Sequence, residues 1–159
     1  MRRLASKPLQ RSVAFVTFTA EEAGLLGSRA FLGGQLPTEV KIGFMLNLDM
    51  IGRNSHAPLM IYGDGFADGL TELVLHHAQE ASVPVTLGGR EVVRNSDHDS
   101  FFRRGVPVLS FFSGVHGDYH TPADHADKVD YDRLAGIVRL AEALVRDLAD
   151  RAVLPVRSD

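Results

Sequence analysis

Lys41–Ile51 reads KIGFMLNLDMI, and the fold turns on how that stretch is read. It is among the most apolar runs in the chain and reads as a central strand. Its acidic residue, Asp49, is out of character, because Asp is depleted in strands. Upstream, Ser12–Thr19 (SVAFVTFT) reads as another strand, followed by a short helix over Leu25–Leu32. Downstream, Pro58–Tyr62 is a further strand candidate. Phe66, Leu70, Leu73, Val74, His77, Ala78 and Ala81 then recur at helical spacing. Val83–Leu87 and Pro107–Phe112 (PVLSFF) are two more strand candidates. Leu134, Ile137, Val138, Ala141, Val145 and Leu148 mark a long closing helix, with Asp130 placed to cap it. Strands alternating with helices predict an α/β layered domain, helices on both faces of a mostly parallel sheet.

The chain has 159 residues, enough for a single domain spanning residues 1–159. It is 45% hydrophobic and 23% charged, so it can bury a core and remain soluble. The formal net charge of −3 comes without a basic block, which argues against nucleic acid or an anionic membrane as partner. Cysteine is absent, so a metal would be held by His, Asp and Glu. No apolar run approaches the roughly 20 residues of a membrane span, and MRRLASKPLQRSV has no apolar stretch of signal-peptide length. The expectation for this chain is therefore no membrane segment and no export signal; the compartment stays open.

In sheets of this kind ligands bind beyond the carboxyl ends of the strands, and the unusual polar residues fall there. Glu21 and Glu22 follow the first strand candidate, Asp49 ends the second, and Gly114–His120 follows the last. Two adjacent carboxylates leaving an apolar strand repel one another and resist burial unless a positive group is near. Taken alone, Glu21 and Glu22 could be a solvated pair favoured by the dipole of the following helix. Asp49 in an apolar strand must be paired, hydrogen-bonded or metal-bound, or it stabilises the turn at Gly52. His120 lies in a Gly- and Pro-containing loop, SGVHGDYHTPADHAD (113–127). There Asp118, Asp124 and Asp127 could orient an imidazole, and His116 and His125 are rival ligands. Together, carboxylates and a histidine at separate strand ends make a plausible carboxylate-rich zinc site.

The runs FVTFTAEEAGLLGS, NLDMIGR, NSDHDSFFRRGVPVLSF and YHTPADHADKVD resemble successive motifs of the co-catalytic zinc exopeptidase family. That family includes bacterial leucyl aminopeptidases, aminopeptidase Y, glutamate carboxypeptidase II, glutaminyl cyclases and transferrin receptor. The resemblance runs from about Arg11 to the end of the chain. It implies a three-layer α/β/α zinc-peptidase domain, phosphorylase/hydrolase-like, and a metal-dependent exopeptidase that acts on peptides. By motif, Glu21 resembles the general base toward a zinc-activated water, Glu22 a ligand of one zinc and Asp49 a ligand of the other. His120 resembles the histidine sharing a metal with Glu22, and Tyr119 a tyrosine that donates to the developing oxyanion. Asp97 and His98 match a Ser-Asp-His element beside the substrate cleft, with a structural or substrate-lining role.

The family pattern also places a His-x-Asp histidine and a bridging aspartate upstream of the Glu pair. The twenty residues before Glu21 contain no His, Asp or Glu. The resemblance therefore implies an N-terminally truncated domain without its first strands. Of the two zinc ions in the complete family site, it leaves one or none for this chain. The alternatives from other classes are a non-catalytic binding domain of the same fold and a glutaminyl-cyclase-like enzyme. Outside these motifs, His77 reads as a partly buried core histidine, and His76 and His56 as solvated. Arg103 and Arg104 read as an exposed pair after a short helix, and Asp64 and Asp68 as turn and cap residues.

Overall fold

The computed structural model describes residues 2–5, 7–34, 36–37 and 39–158. After a single helical turn, α1 (Arg2–Ala5), come α2 (Leu26–Leu32), β1 (Met45–Asp49) and β2 (Leu59–Tyr62). A 3-10 turn over Asp64–Phe66 leads into α3 (Leu70–Glu80), then β3 (Val85–Leu87), α4 (His98–Phe102) and β4 (Val108–Phe112). A second 3-10 turn, Ala126–Lys128, precedes the long α5 (Tyr131–Asp150).

The strands form one four-stranded sheet in the order β1-β4-β2-β3. β1 runs parallel to β4 with Asp49 opposite Phe112, and β2 runs parallel to β3. β2 and β4 are antiparallel, Met60 facing Phe112. The sheet is thus mostly parallel, as the alternation of elements predicted.

Successive side chains of β4 point to opposite faces, and each face carries its own core. Leu109 and Phe111 join Leu59 and Ile61 of β2 against α3 and α5. On α3 the buried residues are Leu70, Leu73, Val74 and Ala78, and on α5 they include Ile137, Leu140, Leu144 and Leu148. These spacings give each helix a single apolar stripe toward the sheet. Val108 turns the other way, to Phe101 and Phe102 of α4, with Phe18, Phe31, Ile42 and Met45 around them. Helices therefore cover both faces. Asp130 caps α5 as expected, its side chain accepting from the Arg133 amide at 2.9 Å.

Two strand expectations are corrected. Ser12–Thr19 forms no ladder with the described sheet, and Phe15 and Val16 are 51% and 42% exposed. Strand propensity describes fitness for a pleated, half-buried surface, and among the described residues no neighbouring strand offers that surface here. Phe18 anchors the run, edge-on to Phe31 at 5.6 Å and beside Phe101 at 5.9 Å. The second correction is β1, which is an edge strand among the described residues, pairing only with β4, and starts at Met45. Leu48 is left 45% exposed on that edge. Leu46 of the run packs toward the α3/α5 core and Met45 toward α4, so its apolar residues serve both faces of the sheet although the strand lies at its edge.

Candidate active site

The segment carrying Glu21 and Glu22 is a tight turn folded back onto the start of α2. The amides of Gly24 and Leu25 donate to the Glu21 carbonyl at 3.0 and 2.8 Å. Leu26 and Gly27 donate to the carbonyls of Ala20 and Thr19 at 3.2 and 3.0 Å. Gly27 permits this approach, because a Cβ there would lie 2.5 Å from the Thr19 carbonyl oxygen.

Asp49 is the last residue of β1, and the next four residues hold the opposite loop in place. The Met50 carbonyl accepts from Ser113, at the end of β4, at 3.2 Å. Asn54 donates from its side-chain amide to the carbonyls of Ser113 and Val115 at 3.0 and 3.1 Å. Arg53 forks to Asp118 at 2.7 Å and Asp124 at 2.6 Å, and Lys128 reaches the other Asp118 oxygen at 2.9 Å. This clamp fixes the loop that presents Tyr119 and His120, whose rings stack 3.8 Å apart.

These loops meet at the carboxyl ends of β1 and β4 around a cleft of about 540 Å³. Its walls include Glu21, Glu22, Asp49, Tyr119 and His120, together with Met50 and Phe112. His120 Nε2 lies 2.7 Å from Glu22 Oε1. Burial, and then the negative charges of Glu22, Asp49 and Asp97, push the Glu21 carboxyl above the usual carboxylate range, while His120 acts the other way. Burial, and then the charges of Glu22, Glu21 and Asp49, raise the Tyr119 hydroxyl as well.

Behind the cleft lies the Ser-Asp-His element. His98 is 2% exposed, its Nε2–H donating to the Val93 carbonyl at 2.7 Å and its Nδ1 accepting from Asn47 at 3.3 Å. Burial lowers its pKa, against the pull of the Val93 bond. Asn47 also donates to Ser96 at 3.0 Å. Asp97 is buried, with Oδ1 lacking a hydrogen-bond partner.

The five site residues predicted from sequence thus share one cleft. Asp118 and Asp124 serve Arg53 rather than orienting a ligand imidazole, although His116 Nε2 does sit 3.7 Å from Asp124. His125 is exposed. Asn47, Arg53 and Asn54 carried no expectation, though all lie in or beside the quoted NLDMIGR run. A strand-borne Asn next to a strand-borne Asp was the available signal for the first.

The chain matches peptidase family M28 over residues 1–145. It belongs to that family. Aminopeptidase YwaD of Bacillus subtilis is 29% identical over 168 residues, covering 97% of this chain and 36% of that protein. A probable leucine aminopeptidase 2 of Aspergillus fumigatus is 36% identical over 121 residues, covering 67% of this chain and 23% of the relative. Among solved structures, BSAP, a zinc aminopeptidase from Bacillus subtilis, superposes with a TM-score of 0.79 at 27% identity, over 94% of this chain and 39% of that one. The chain therefore spans well under half the length of these relatives.

As donors to zinc, the M28 cleft offers the His120 imidazole and the carboxylates of Glu21, Glu22 and Asp49, a set of the right chemistry, with His98, His116 and Asp124 also on its walls. Glu22 and His120 already point at one another. Asp49 stands apart from them: neither of the groups of three metal-type donors within 4.8 Å of one another, among the described residues, includes Asp49 or Glu22.

Proposed function

We propose that this cleft is the hydrolytic side of a zinc exopeptidase site, of aminopeptidase type, acting on short peptides. The observation that carries it is the approach of Glu21, Glu22, Asp49, Tyr119 and His120 from separate loops to one cleft, with His120 and Glu22 2.7 Å apart. In this reading Glu22 and His120 hold one zinc ion and Asp49 serves a second. Zinc, when bound, polarises the scissile carbonyl and acidifies water. Two protein ligands fall short of the three usual for catalytic zinc, so this chain by itself holds its cleft ion loosely or not at all.

The protein's own groups supply the proton transfers. Glu21 accepts a proton from the attacking water and returns it to the leaving amine. Its raised pKa supports that role, since a base that must also act as an acid works best nearer the operating pH. Tyr119 donates from its hydroxyl toward the oxygen on which negative charge develops, and its stacking on His120 keeps it there.

The test is hydrolysis of an aminoacyl-p-nitroanilide with zinc supplied, beside metal analysis of dialysed protein. Glu21→Gln is expected to lower kcat by about 10²–10⁴-fold and leave zinc content unchanged, whereas Glu22→Ala loses cleft zinc. Wild-type kcat in Glu21→Gln removes Glu21 from the reaction. A folded protein that takes up zinc through Glu22 yet cleaves nothing makes the cleft a binding site instead.

A further inference from the structure

Remote in sequence from every cleft residue, α3 and α5 bring a second group of metal-type donors together. His77 is 11% exposed, and both of its ring nitrogens face carboxylates: Nδ1 lies 3.2 Å from Glu80 Oε2 and Nε2 lies 3.4 Å from Asp147 Oδ2. Asp147 is itself held by Arg151, whose Nε donates to Oδ1 at 2.5 Å. His76 Nε2 approaches the other Glu80 oxygen at 3.6 Å. One donor atom each from His76, His77 and Glu80 lie within 4.8 Å of one another.

A neutral imidazole has a single N–H. With that N–H given to Asp147, Nδ1 presents a lone pair to a carboxylate oxygen, and two acceptors face each other. A cation between them satisfies both acceptors, and the candidates are a proton on His77 or a metal ion. The position of His76 favours the metal. A proton needs one acceptor, whereas a metal ion gathers several, and a second imidazole already approaches the same carboxylate. Zinc bonds of 2.0–2.2 Å in a tetrahedron set neighbouring donors about 3.3–3.5 Å apart. One donor atom of each residue already lies within 4.8 Å of the other two, so a shift of about an ångström closes the group to that spacing.

We propose that His76, His77 and Glu80 form an accessory binding site for a divalent transition-metal ion of the zinc type. His77 binds through Nδ1 while its Nε2–H donates to Asp147, the arrangement by which an outer carboxylate fixes the tautomer and orientation of a ligand histidine. Three protein ligands leave one position to water. Because Asp147 belongs to α5 and the ligands to α3, the bound ion is coupled through the His77–Asp147 bond to the packing of these helices.

The experiment is a zinc titration of the 159-residue chain followed by long-range 1H–15N spectra of the imidazoles, with zinc counted after dialysis. His76→Ala and Glu80→Gln alter side chains that are 63% and 61% exposed, so the fold survives both, as circular dichroism will confirm. The expected result is a zinc-dependent shift of His77 Nδ1 and His76 Nε2 at micromolar metal. One equivalent of zinc is lost in either variant, while Glu22→Ala leaves these shifts unchanged and loses only zinc held in the cleft. A His77 ring protonated on both nitrogens and indifferent to zinc would overturn the proposal, making it a histidinium between two carboxylates. A response that needs millimolar zinc, or that persists in both variants, overturns it as well.

Discussion

Ala20, Met50 and His120 adopt left-handed backbone conformations, with φ of 54°, 51° and 56°. Each costs roughly 1–2 kcal/mol for a residue with a Cβ, and each adjoins or is a candidate catalytic position. Such strain persists only where the surroundings over-determine it. The bonds from α2 to Ala20, from Ser113 to Met50, and the Arg53 clamp supply that constraint. The clamp has a pH signature. Hydrogen bonds from Arg53 and then Lys128 hold the Asp118 carboxyl down to about 2, from an ordinary 3.8. A depressed carboxylate contributes stability that is complete above its unfolded pKa and lost as pH falls through the folded one. Urea midpoints measured from pH 5 to 2 should therefore fall more steeply between about pH 4 and 2 in the wild type than in Asp118→Asn. Parallel slopes would show that the clamp is broken in solution. Glu21, Glu22, Asp49 and His120 were legible as residues, because charged groups at the ends of apolar runs stand out. The backbone strain at Ala20, Met50 and His120 was not, since nothing in those side chains announces a positive φ.

At the scale of elements, α2 sets the position of the Glu pair. Helix propensity alone makes Gly27→Ala stabilising by about 1 kcal/mol. The structure reverses the sign. The new Cβ would lie 2.5 and 2.7 Å from the Thr19 backbone oxygen and nitrogen, so α2 must move off Thr19–Glu21. Overpacking against backbone of this kind costs about 1–3 kcal/mol. Gly27→Ala should lower the urea midpoint and weaken zinc uptake through Glu22; a raised midpoint would mean that the approach is looser than described. The helices α3 and α5 and the cap Asp130 could be read from period and capping chemistry. Ser12–Thr19 could not, because a β-branched run becomes a strand only if a partner strand is beside it. Asp64 read as a turn residue, yet it is 2% exposed and accepts from Gly89 and Thr71 at 2.7 and 2.9 Å. Its partners lie in other parts of the chain.

For the whole molecule, β4 is the hinge between two cores. Phe111 is fully buried on the α3/α5 side, and one residue earlier or later the chain serves the opposite face. Phe111→Ala removes a ring from the larger core and should cost about 3–5 kcal/mol. That is a large part of the 5–15 kcal/mol typical of a domain. The check is the loss of the cooperative thermal transition or a drop of its midpoint; an unchanged midpoint would place Phe111 outside the core. Phe15, Val16, Val40 and Leu48 remain between 42% and 51% exposed, and β1 is open on one side among the described residues.

The sequence by itself determined the layered α/β class, the main helices, the family and the five candidate residues, Glu21, Glu22, Asp49, Tyr119 and His120, that meet in the cleft. Those properties are written in local period, in capping chemistry and in charged residues that apolar segments tolerate only for a reason. Tertiary structure alone decided the rest. Among the described residues it set Met45–Asp49 at the edge of the sheet and gave Ser12–Thr19 no partner strand. It turned Asn47, Arg53 and Asn54 into the supports of the site. It also set His77 between Glu80 and Asp147, 70 residues further along the chain. Each of these depends on which distant segment lies alongside, and hydrogen-bond partners far apart in sequence leave no periodic trace in it.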